Sequence, residues 1–181
     1  PLCHYLSYVR AKKRVDLATR SCGVDALILR PIITYGWNYP FGRGNPLSQY
    51  VPLLKEGKPI KMVTDQFENP IYAGDVARVF WRCLLEGVSG EFNLAGGDVG
   101  VSRYQWLRTA AEVFGLNPNL VQKVSVNDFT FLAPRPKDTR FDISHLTRAL
   151  QFKPVGIREG ALAMRDDVAL RPPEEKLCVP A

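Results

Sequence analysis

Residues 8–36, YVRAKKRVDLATRSCGVDALILRPIITYG, decide the fold of this chain. The first part predicts a helix over residues 4–22 that ends at Gly23, because glycine readily adopts the left-handed conformation that closes a helix. The nearly uninterrupted apolar run that follows predicts a buried parallel strand over residues 24–30. A helix that leads into a buried strand is the repeating unit of α/β folds, which is the fold class we expect.

Tyr8 and Lys12 lie four residues apart on the predicted helix, so their side chains share one helical face. An ammonium beside a phenol favours the phenolate, which makes the tyrosine a better proton donor to a developing alkoxide. The spacing therefore predicts an acid/base pair, and Tyr5 is a weaker candidate because no lysine lies four residues after it. The alternative is an ordinary helix with a half-buried tyrosine and a solvated lysine.

Hydrophobic periodicity and turn residues divide the rest of the chain into alternating helices and strands. The predicted helices cover residues 47–56, 75–87, 102–114, 146–150 and 157–169, with Ser102 and Ser144 as N-caps of the third and fourth. The predicted strands cover residues 60–63, 91–95 and 121–126. Loops are predicted over residues 34–45, 64–69 and 131–142, and a loose tail over residues 171–181. This is an α/β pattern with few strands for a complete nucleotide-binding fold.

No G-x-G-x-x-G or G-x-x-G-x-x-G motif occurs in the chain. In nucleotide-binding folds such a turn directs backbone amides toward a pyrophosphate at the start of a helix. The first residue is Pro1, and it leads almost directly into the helix with the acid/base pair. We therefore expect a piece of a longer protein that is inactive by itself.

Charge and composition narrow the class of protein. The chain has 181 residues, 46% of them hydrophobic, and a formal net charge of +6. Its densest basic run, residues 10–14, is interleaved with Ala11 and predicts a solvated helix face, which argues against a nucleic-acid binder. A nucleotide diphosphate would also suit a basic cleft. No apolar run is long enough to span a membrane.

The four cysteines predict neither a metal site nor a disulfide framework. They are Cys3, Cys22, Cys83 and Cys178, and no C-x-x-C spacing occurs. Cys22 and Cys83 lie in apolar, helix-like stretches, so we expect both to be buried free thiols. Free thiols indicate a reducing compartment, which makes the cytoplasm the expected location.

Three further segments carry a resemblance to a known family. They are residues 63–77 (VTDQFENPIYAGDVA), 90–96 (GEFNLAG) and 133–142 (APRPKDTRFD). Together with the Tyr-x-x-x-Lys helix and the Arg30-Pro31 strand end, they resemble, over residues 5–165, the dTDP-4-dehydrorhamnose reductases of the extended short-chain dehydrogenase/reductase superfamily. The resemblance implies the C-terminal part of such a Rossmann-like enzyme: residues 1–36 end the Rossmann-like domain, and residues 37–170 are mostly its substrate-binding subdomain with returning Rossmann elements.

The same resemblance implies roles for individual residues. Tyr8 would protonate the carbonyl oxygen, while Lys12 would tune Tyr8 and hold the ribose of NADP or NAD. The backbone of Pro31, Ile32 and Ile33 would contact the nicotinamide amide; the alternative is a plain strand-to-loop transition. Arg135, held between two prolines, would bind the diphosphate of a nucleotide-sugar substrate. The alternative for Arg135 is a surface salt bridge to Asp138 or Asp142.

Two functions follow from this resemblance. The first is NAD(P)H-dependent reduction of a keto group on a nucleotide-linked sugar, as in dTDP-rhamnose biosynthesis. Such an enzyme can form a homodimer. The second is a non-catalytic regulatory protein on the same fold, like the beta subunit of methionine adenosyltransferase. The chain departs from the family at Phe67-Glu68, where a glycine is usual, and at Lys137-Asp138, where Asn-Ser is usual. The aromatic residues of the 34–45 loop either stack on a sugar or base or anchor the loop itself.

Overall fold

The fold was derived from a computed structural model, which describes residues 2–23, 25–38, 44–129 and 136–167. Within these ranges the α-helices are α1 (Leu2–Ser21), α2 (Pro46–Lys55), α3 (Ala73–Leu85), α4 (Arg103–Val113), α5 (Ser144–Leu150) and α6 (Ile157–Asp166). The strands are β1 (Leu27–Pro31), β2 (Thr34–Tyr35), β3 (Ile60–Val63), β4 (Phe67–Glu68), β5 (Ile71–Tyr72), β6 (Gly90–Leu94), β7 (Val101–Ser102) and β8 (Val121–Val124).

Most of the strand pairing is parallel. The parallel pairs are β1–β6, β2–β5 and β3–β8, and the antiparallel pair is β4–β7. Each parallel pair is connected through at least one helix, as parallel strands require a long crossover. The α/β fold class predicted from the alternation is therefore confirmed. The carboxyl ends of paired parallel strands lie together, so the loops that follow β3 and β8 become neighbours.

The sequence signals for helix ends correspond to real caps. Ser102 is the N-cap of α4: its side chain accepts a hydrogen bond from the backbone N–H of Gln105, whose side chain accepts one from the N–H of Ser102. This reciprocal pair satisfies two N–H groups that the first helical turn leaves without partners. After α1, Gly23 has a φ of 64°, a left-handed conformation that costs glycine little. The predicted N-cap at Ser102 and stop at Gly23 are both confirmed.

Two hydrophobic clusters form the core. The larger one lies among α2, α4, α6 and β3, and its largest buried side chains are Trp106, Tyr35, Tyr72 and Tyr104. The second joins the β1–β6 pair to α3 and α5 through Ile71, Val79, Cys83, Phe92, Leu94, Leu146 and Leu150. Residues Leu27 and Leu29 of β1 pack on this second cluster. One face of the β1–β6 pair is therefore apolar and covered by helices.

Some of the predicted details were wrong. Ser144 is the first residue of α5 rather than its N-cap, because Asp142 supplies the oxygen that accepts the Ser144 N–H, at 2.8 Å. The strand predicted over residues 121–126 ends at Val124, since residues 126–128 turn into a short 3₁₀ helix. Cys83 is buried as expected, but Cys22 is exposed at the end of α1, where nothing in the described structure covers it. The predicted tail, residues 171–181, lies outside the described residues.

Candidate functional site

Tyr8 and Lys12 both lie on α1, four residues apart as predicted. Lys12 is exposed, and the side chain of Tyr8 lies outside the described part of the structure. Their position on one continuous helix is established by the fold. A shared orientation toward a cleft stays a prediction.

Two linked ion pairs hold α1 against the β1–β6 strand pair. Arg30 of β1 donates from Nη2 to Oδ2 of Asp16 at 2.7 Å and to Oε2 of Glu91 at 2.8 Å. Arg20 of α1 reaches the other oxygen of Glu91, at 2.5 Å from Nε. The hydrogen bond to Asp16, followed by that to Glu91, raises the pKa of Arg30. The face of the strand pair that meets α1 therefore carries charged side chains, opposite the apolar face.

Several backbone groups at the carboxyl end of β1 already form hydrogen bonds within the protein. Ile32 donates its N–H to the carbonyl of Leu94 at 2.9 Å, and the carbonyl of Ile33 accepts the N–H of Ile71 at 3.0 Å. The hydroxyl of Thr34 donates to the carbonyl of Ile32 at 3.2 Å. Three of the groups expected to face a nicotinamide amide are thus already bound to protein atoms. The N–H of Ile32 is committed to Leu94, whereas the two carbonyls each keep a second lone pair that can accept a hydrogen bond. The cofactor contacts at Pro31, Ile32 and Ile33 stay a prediction.

The loop after β3 is held to the loop after β8 by Asp65. Its Oδ1 accepts the N–H of Val126 and its Oδ2 accepts the hydroxyl of Ser125, both at 2.8 Å. These hydrogen bonds, that from Val126 first, lower the pKa of Asp65. Lys137 adds an ammonium 3.8 Å from Oδ2. Asp65 is therefore an ionised structural link that joins the carboxyl ends of β3 and β8.

Residues 66–69 and 136–141 run side by side in parallel, and together we call them the paired segment. Its middle is a backbone pairing: the N–H of Phe67 donates to the carbonyl of Lys137 at 2.7 Å, and the N–H of Thr139 donates to the carbonyl of Phe67 at 3.0 Å. A parallel bridge joins Phe67 to Asp138. The pairing brings two segments of the family resemblance into contact, although 70 residues separate Gln66 from Pro136.

Arg135, the predicted phosphate ligand, lies outside the described residues, but its immediate neighbour does not. The side chain of Gln66 donates to the carbonyl of Pro136 at 3.1 Å. The two aspartates offered as alternative partners of Arg135 have other partners: Asp138 accepts two hydrogen bonds from the Arg140 guanidinium, at 2.8 and 2.6 Å, and Asp142 caps α5. Arg140 lowers the pKa of Asp138 to about 2.

Sequence reasoning did not identify a buried ion pair between Glu68 and Arg103. The Glu68 side chain is 6% exposed, and its Oε1 lies 3.1 Å from Nε of Arg103 without hydrogen-bond geometry; neither of these two atoms has a hydrogen-bond partner among the described residues. Burial raises the pKa of Glu68, and Arg103 opposes that effect. The available signal was Glu68 itself, a charged residue in place of the usual glycine.

The aromatic residues of the 34–45 loop anchor the protein where the structure describes them. Tyr35 is 1% exposed and packs edge-to-face on Trp106, with ring centroids 5.3 Å apart. Burial raises its pKa. Trp37 donates its indole N–H to the carbonyl of Met164 and packs on Phe114. The anchoring interpretation is confirmed for these two, while Tyr39 and Phe41 lie outside the described residues.

Three findings concern other kinds of site. The basic run on α1, residues 10–14, is exposed along its whole length, as predicted for a solvated helix face. In the described ranges no group of three His, Cys, Asp or Glu side chains could hold a metal ion. Nor does any helix in those ranges have the length and hydrophobicity to cross a membrane.

Three features of the chain are those of an extended short-chain dehydrogenase/reductase. They are the Tyr-x-x-x-Lys helix, the parallel strand pair that follows it and the loops at the strand ends. The family model described as the RmlD substrate binding domain matches residues 5–169. The chain belongs to this family.

Two relatives illustrate the similarity. The chain is 31% identical over 140 residues to the probable low-salt glycan biosynthesis reductase Agl14 of Haloferax volcanii. The aligned region covers 77% of this chain and 46% of that protein. It is 29% identical over 129 residues to the dTDP-4-dehydrorhamnose reductase of Mycobacterium tuberculosis, covering 71% of this chain and 41% of that protein. The chain therefore spans about half the length of the relatives it matches.

Solved structures share the fold. The dTDP-4-dehydrorhamnose reductase of Bacillus anthracis in complex with NADP superposes with a TM-score of 0.67 at 23% identity, covering 76% of this chain and 47% of that one. WbmH of Bordetella bronchiseptica in complex with NAD+ gives a TM-score of 0.66 at 20% identity, covering 87% of this chain and 50% of that one. These likenesses establish the Rossmann-like fold of the superfamily for this chain.

Proposed function

We propose that this chain is the acid/base and substrate-binding part of an NADPH- or NADH-dependent reductase that acts on a keto group of a nucleotide-linked sugar. Tyr8 donates the proton that the carbonyl oxygen needs as hydride arrives, and Lys12 favours the phenolate that remains. The observation that carries the proposal is the docking of the Tyr8–Lys12 helix on β1 through Asp16 and Arg30. The relatives named above are reductases, which supports the same reaction class.

The two ion pairs define how α1 runs along β1. Arg20 meets Glu91, whose register partner is Ile28, whereas Asp16 meets Arg30. Four helical residues advance about 6 Å and two strand residues about 6.6 Å, so α1 runs antiparallel to β1 at a matched spacing. Each further helical turn toward the N-terminus therefore advances about two strand residues.

This spacing supports the predicted roles of Tyr8 and Lys12. Continued by one step of four residues, it brings Lys12 level with Ile32, just past the carboxyl end of β1. A second step carries Tyr8 one further helical turn in the same direction, beyond the end of β1. Ligands of open α/β sheets bind outside the carboxyl ends of the strands. This is the region in which a lysine can hold a nicotinamide ribose. It is also the region in which a tyrosine can reach the reacting carbonyl.

The substrate side of the proposal depends on the paired segment. Gln66 holds the carbonyl of Pro136 beside the loop at the carboxyl end of β3, and we assign the diphosphate to Arg135, which precedes Pro136 in the sequence. Lys137 is two residues further along and exposed. Two cations at the strand ends suit a nucleotide diphosphate, and a planar guanidinium binds phosphate oxygens in pairs.

The surface of the chain supports the proposal that it works with a nucleotide-binding half. β1 and β6 are a two-stranded parallel sheet in the described residues, whereas sheets usually have about four to six strands. Four large apolar side chains of α3 are exposed, namely Phe80 (47%), Trp81 (57%), Leu84 (57%) and Leu85 (81%). We propose that the nucleotide-binding half adds a strand beside β1 and covers α1 and α3. The matched regions cover 46% and 41% of the two relatives, which leaves room for such a half.

Two titrations and one fusion test this proposal. The chain alone should bind dTDP in a calorimetric titration and should bind NADPH weakly or not at all, because it lacks a glycine turn for the pyrophosphate. The fusion joins the unmatched upstream half of the Mycobacterium tuberculosis reductase to this chain and should oxidise NADPH with dTDP-4-dehydrorhamnose. Tight NADPH binding by the chain alone would contradict the proposed division of labour. A fusion that binds both ligands without turnover would favour the regulatory alternative.

A further inference from the structure

A cavity of about 370 Å³ lies beside the carboxyl end of β6, between the loop that follows this strand and helix α5. Its volume is within the range of roughly 300–1,000 Å³ that small-molecule sites have. The polar side chains that line it include those of Asp98, Thr147, Arg148 and Lys153. The function proposed above uses none of these four side chains.

Hydrogen bonds hold the inner wall of the cavity, which includes Asn69 and Phe141. Asn69 is 3% exposed; its Nδ2 donates to the carbonyl of Phe141 at 2.9 Å, and its Oδ1 accepts the N–H of Phe141 at 3.0 Å. The carbonyl of Asn69 also accepts the N–H of Gly96 at 3.0 Å, which ties this wall to the end of β6. The wall is therefore formed before any ligand arrives, as in most small-molecule sites.

The two carboxylates of the cavity are engaged by backbone N–H groups. Oδ1 of Asp142 accepts the N–H of Ser144 at 2.8 Å, at the start of α5. Oδ2 of Asp98 accepts the N–H of Ile157 at 2.6 Å, at the start of α6. The hydrogen bonds from Ser144, that from its backbone first, lower the pKa of Asp142. Each negative charge therefore lies at the beginning of a helix, where anions are stabilised.

The two cations of the cavity are different: within the described residues, neither Arg148 nor Lys153 forms an ion pair. The charge of Arg148 acts on Asp142 from beyond ion-pair distance. Lys153 is held in place by its stem, because a Cβ added to Gly97 would lie 3.2 Å from Cε of the lysine. The cavity thus combines engaged carboxylates with two cations that have room for an anion.

We propose that this cavity binds a small phosphate monoester, whose phosphate is held by Arg148, Lys153 and the hydroxyl of Thr147. A guanidinium binds phosphate oxygens in pairs, an ammonium adds a point charge and a hydroxyl donates one further hydrogen bond. A phosphate group fills only part of the volume. The rest is bordered by the apolar side chains of Phe141 and Ile143, which suit the organic part of the ligand.

The experiment is an NMR titration of the chain with phenyl phosphate and with inorganic phosphate. Phenyl phosphate should shift the amide resonances of Asp98, Thr147 and Lys153. It should bind more tightly than inorganic phosphate, since its ring can also contact the apolar border of the cavity. The result does not depend on the function proposed above, because neither probe is a nucleotide and the resonances report where each probe binds.

Variants test the individual donors. Arg148→Met and Lys153→Met should each weaken phenyl phosphate binding about tenfold, because each removes a charged hydrogen-bond donor. Thr147→Val should weaken it less, since a neutral hydroxyl contributes less. The matched control is Lys61→Met, which removes one positive charge from an exposed position on β3 outside the cavity and should leave the affinity unchanged.

Thermal unfolding of every variant identifies losses caused by misfolding. Lys153 lies outside the helices, so Lys153→Met keeps the proposal testable if Arg148→Met does not fold. The proposal is wrong if phenyl phosphate shifts none of the three cavity amides. It is also wrong if folded Arg148→Met and Lys153→Met bind the probe as tightly as the unaltered chain. An equal loss in Lys61→Met would show that the probe responds only to net charge, which would overturn the proposal as well.

Discussion

Oδ2 of Asp16 on α1 accepts a hydrogen bond of 2.7 Å from Nη2 of Arg30 on β1. Among the described side chains of residues 10–21, Asp16 and Thr19 are the half-buried ones and the rest are exposed. Residues 10–21 of α1, the stretch that carries Lys12, are therefore held to the strands mainly by charge, whereas apolar packing holds the other helices to the core.

Replacement of Arg30 by methionine should loosen α1 without unfolding the protein. The pair is partly exposed, so we expect a loss of less than about 1 kcal/mol in the free energy of unfolding. Hydrogen exchange of the α1 amides should be faster, and about 1 M salt should have a similar effect on the unaltered chain by screening the pair. The control is Arg158→Met, which removes the exposed pair with Glu112 and should leave α1 unchanged. Unaltered exchange in Arg30→Met would show that α1 is held by other contacts.

Tyr8→Phe in the fusion should lower kcat by a factor of about 100 to 10,000, because the reaction loses its proton donor. The KM for the sugar nucleotide should change little, since the phosphates are bound elsewhere. Tyr5→Phe is the matched control, a neighbouring tyrosine without a lysine four residues later, and should keep full activity. Steady-state kinetics with NADPH measure both variants. Equal losses from the two changes would contradict the assignment of Tyr8.

Glu68 predicts a pH dependence of stability that opposes the usual behaviour of a carboxylate. Burial raises its pKa above the ordinary value of 4.5, so the folded protein favours the protonated form. Its contribution to the free energy of unfolding is complete below the unfolded pKa and is lost as the pH rises through the folded pKa.

The test of this prediction is Glu68→Gln, compared with the unaltered protein by denaturant unfolding between about pH 4 and pH 7. The stability of the unaltered protein relative to the variant should fall as the pH rises. Glu56→Gln is the same substitution at an exposed position and serves as the reference for the change of side chain. A difference that stays constant or grows with pH would mean that Arg103 stabilises the carboxylate more than burial destabilises it.

Gly96→Ala should destabilise the fold strongly. An added Cβ would lie 2.2 Å from the carbonyl oxygen of Pro70, a backbone atom that cannot move away by rotating a side chain. Gly57→Ala is a useful comparison, because φ is +75° there and no atom lies within 4 Å of the added carbon. That variant should lose only about 1–2 kcal/mol through backbone strain. Thermal unfolding should therefore place the midpoint of Gly96→Ala clearly below that of Gly57→Ala.

The exposed face of α3 predicts a surface change that improves behaviour in solution. Trp81→Gln with Leu84→Gln should reduce self-association of the isolated chain, since both side chains are 57% exposed. The free energy of unfolding should change by no more than about 0.5 kcal/mol. By contrast Val79→Ala, at a buried position on the same helix, should cost about 1–3 kcal/mol. Sedimentation velocity measures the self-association, and denaturant unfolding measures the stability. A large loss of stability in the double variant would show that the exposed face of α3 contacts other parts of the same chain.

The sequence predicted the elements whose signals are local. The strand at Ile60–Val63 and the N-cap at Ser102 follow from short patterns of apolar and polar residues, and both are present. The α/β class followed from the alternation of such elements. The sequence did not predict that Cys22 is exposed. Hydrophobic periodicity indicates which side of a helix is apolar, but it does not indicate whether another element covers that side.

Contacts between distant segments were not predictable in this way. The bond between Asn69 and Phe141 joins residues 72 positions apart, and residues 133–142 have no periodicity that would indicate a partner. The pair of Glu68 and Arg103 was equally hidden, since a glutamate in a turn is usually solvated. The family resemblance placed both segments near a substrate site, but their mutual register depends on three-dimensional packing that single-sequence patterns do not contain.

The parallel strand pairs have a consequence for how the chain acquires its structure. Thr64 bonds to Val124 across 60 residues, and Arg30 to Glu91 across 61. Loop-closure entropy opposes each pairing until the later segment is present, and domains rich in such distant contacts fold slowly. During synthesis β3 leaves the ribosome well before β8, its strand partner in the described part of the chain. The chain should therefore reach its native structure late in synthesis, when both halves of every ladder have been made.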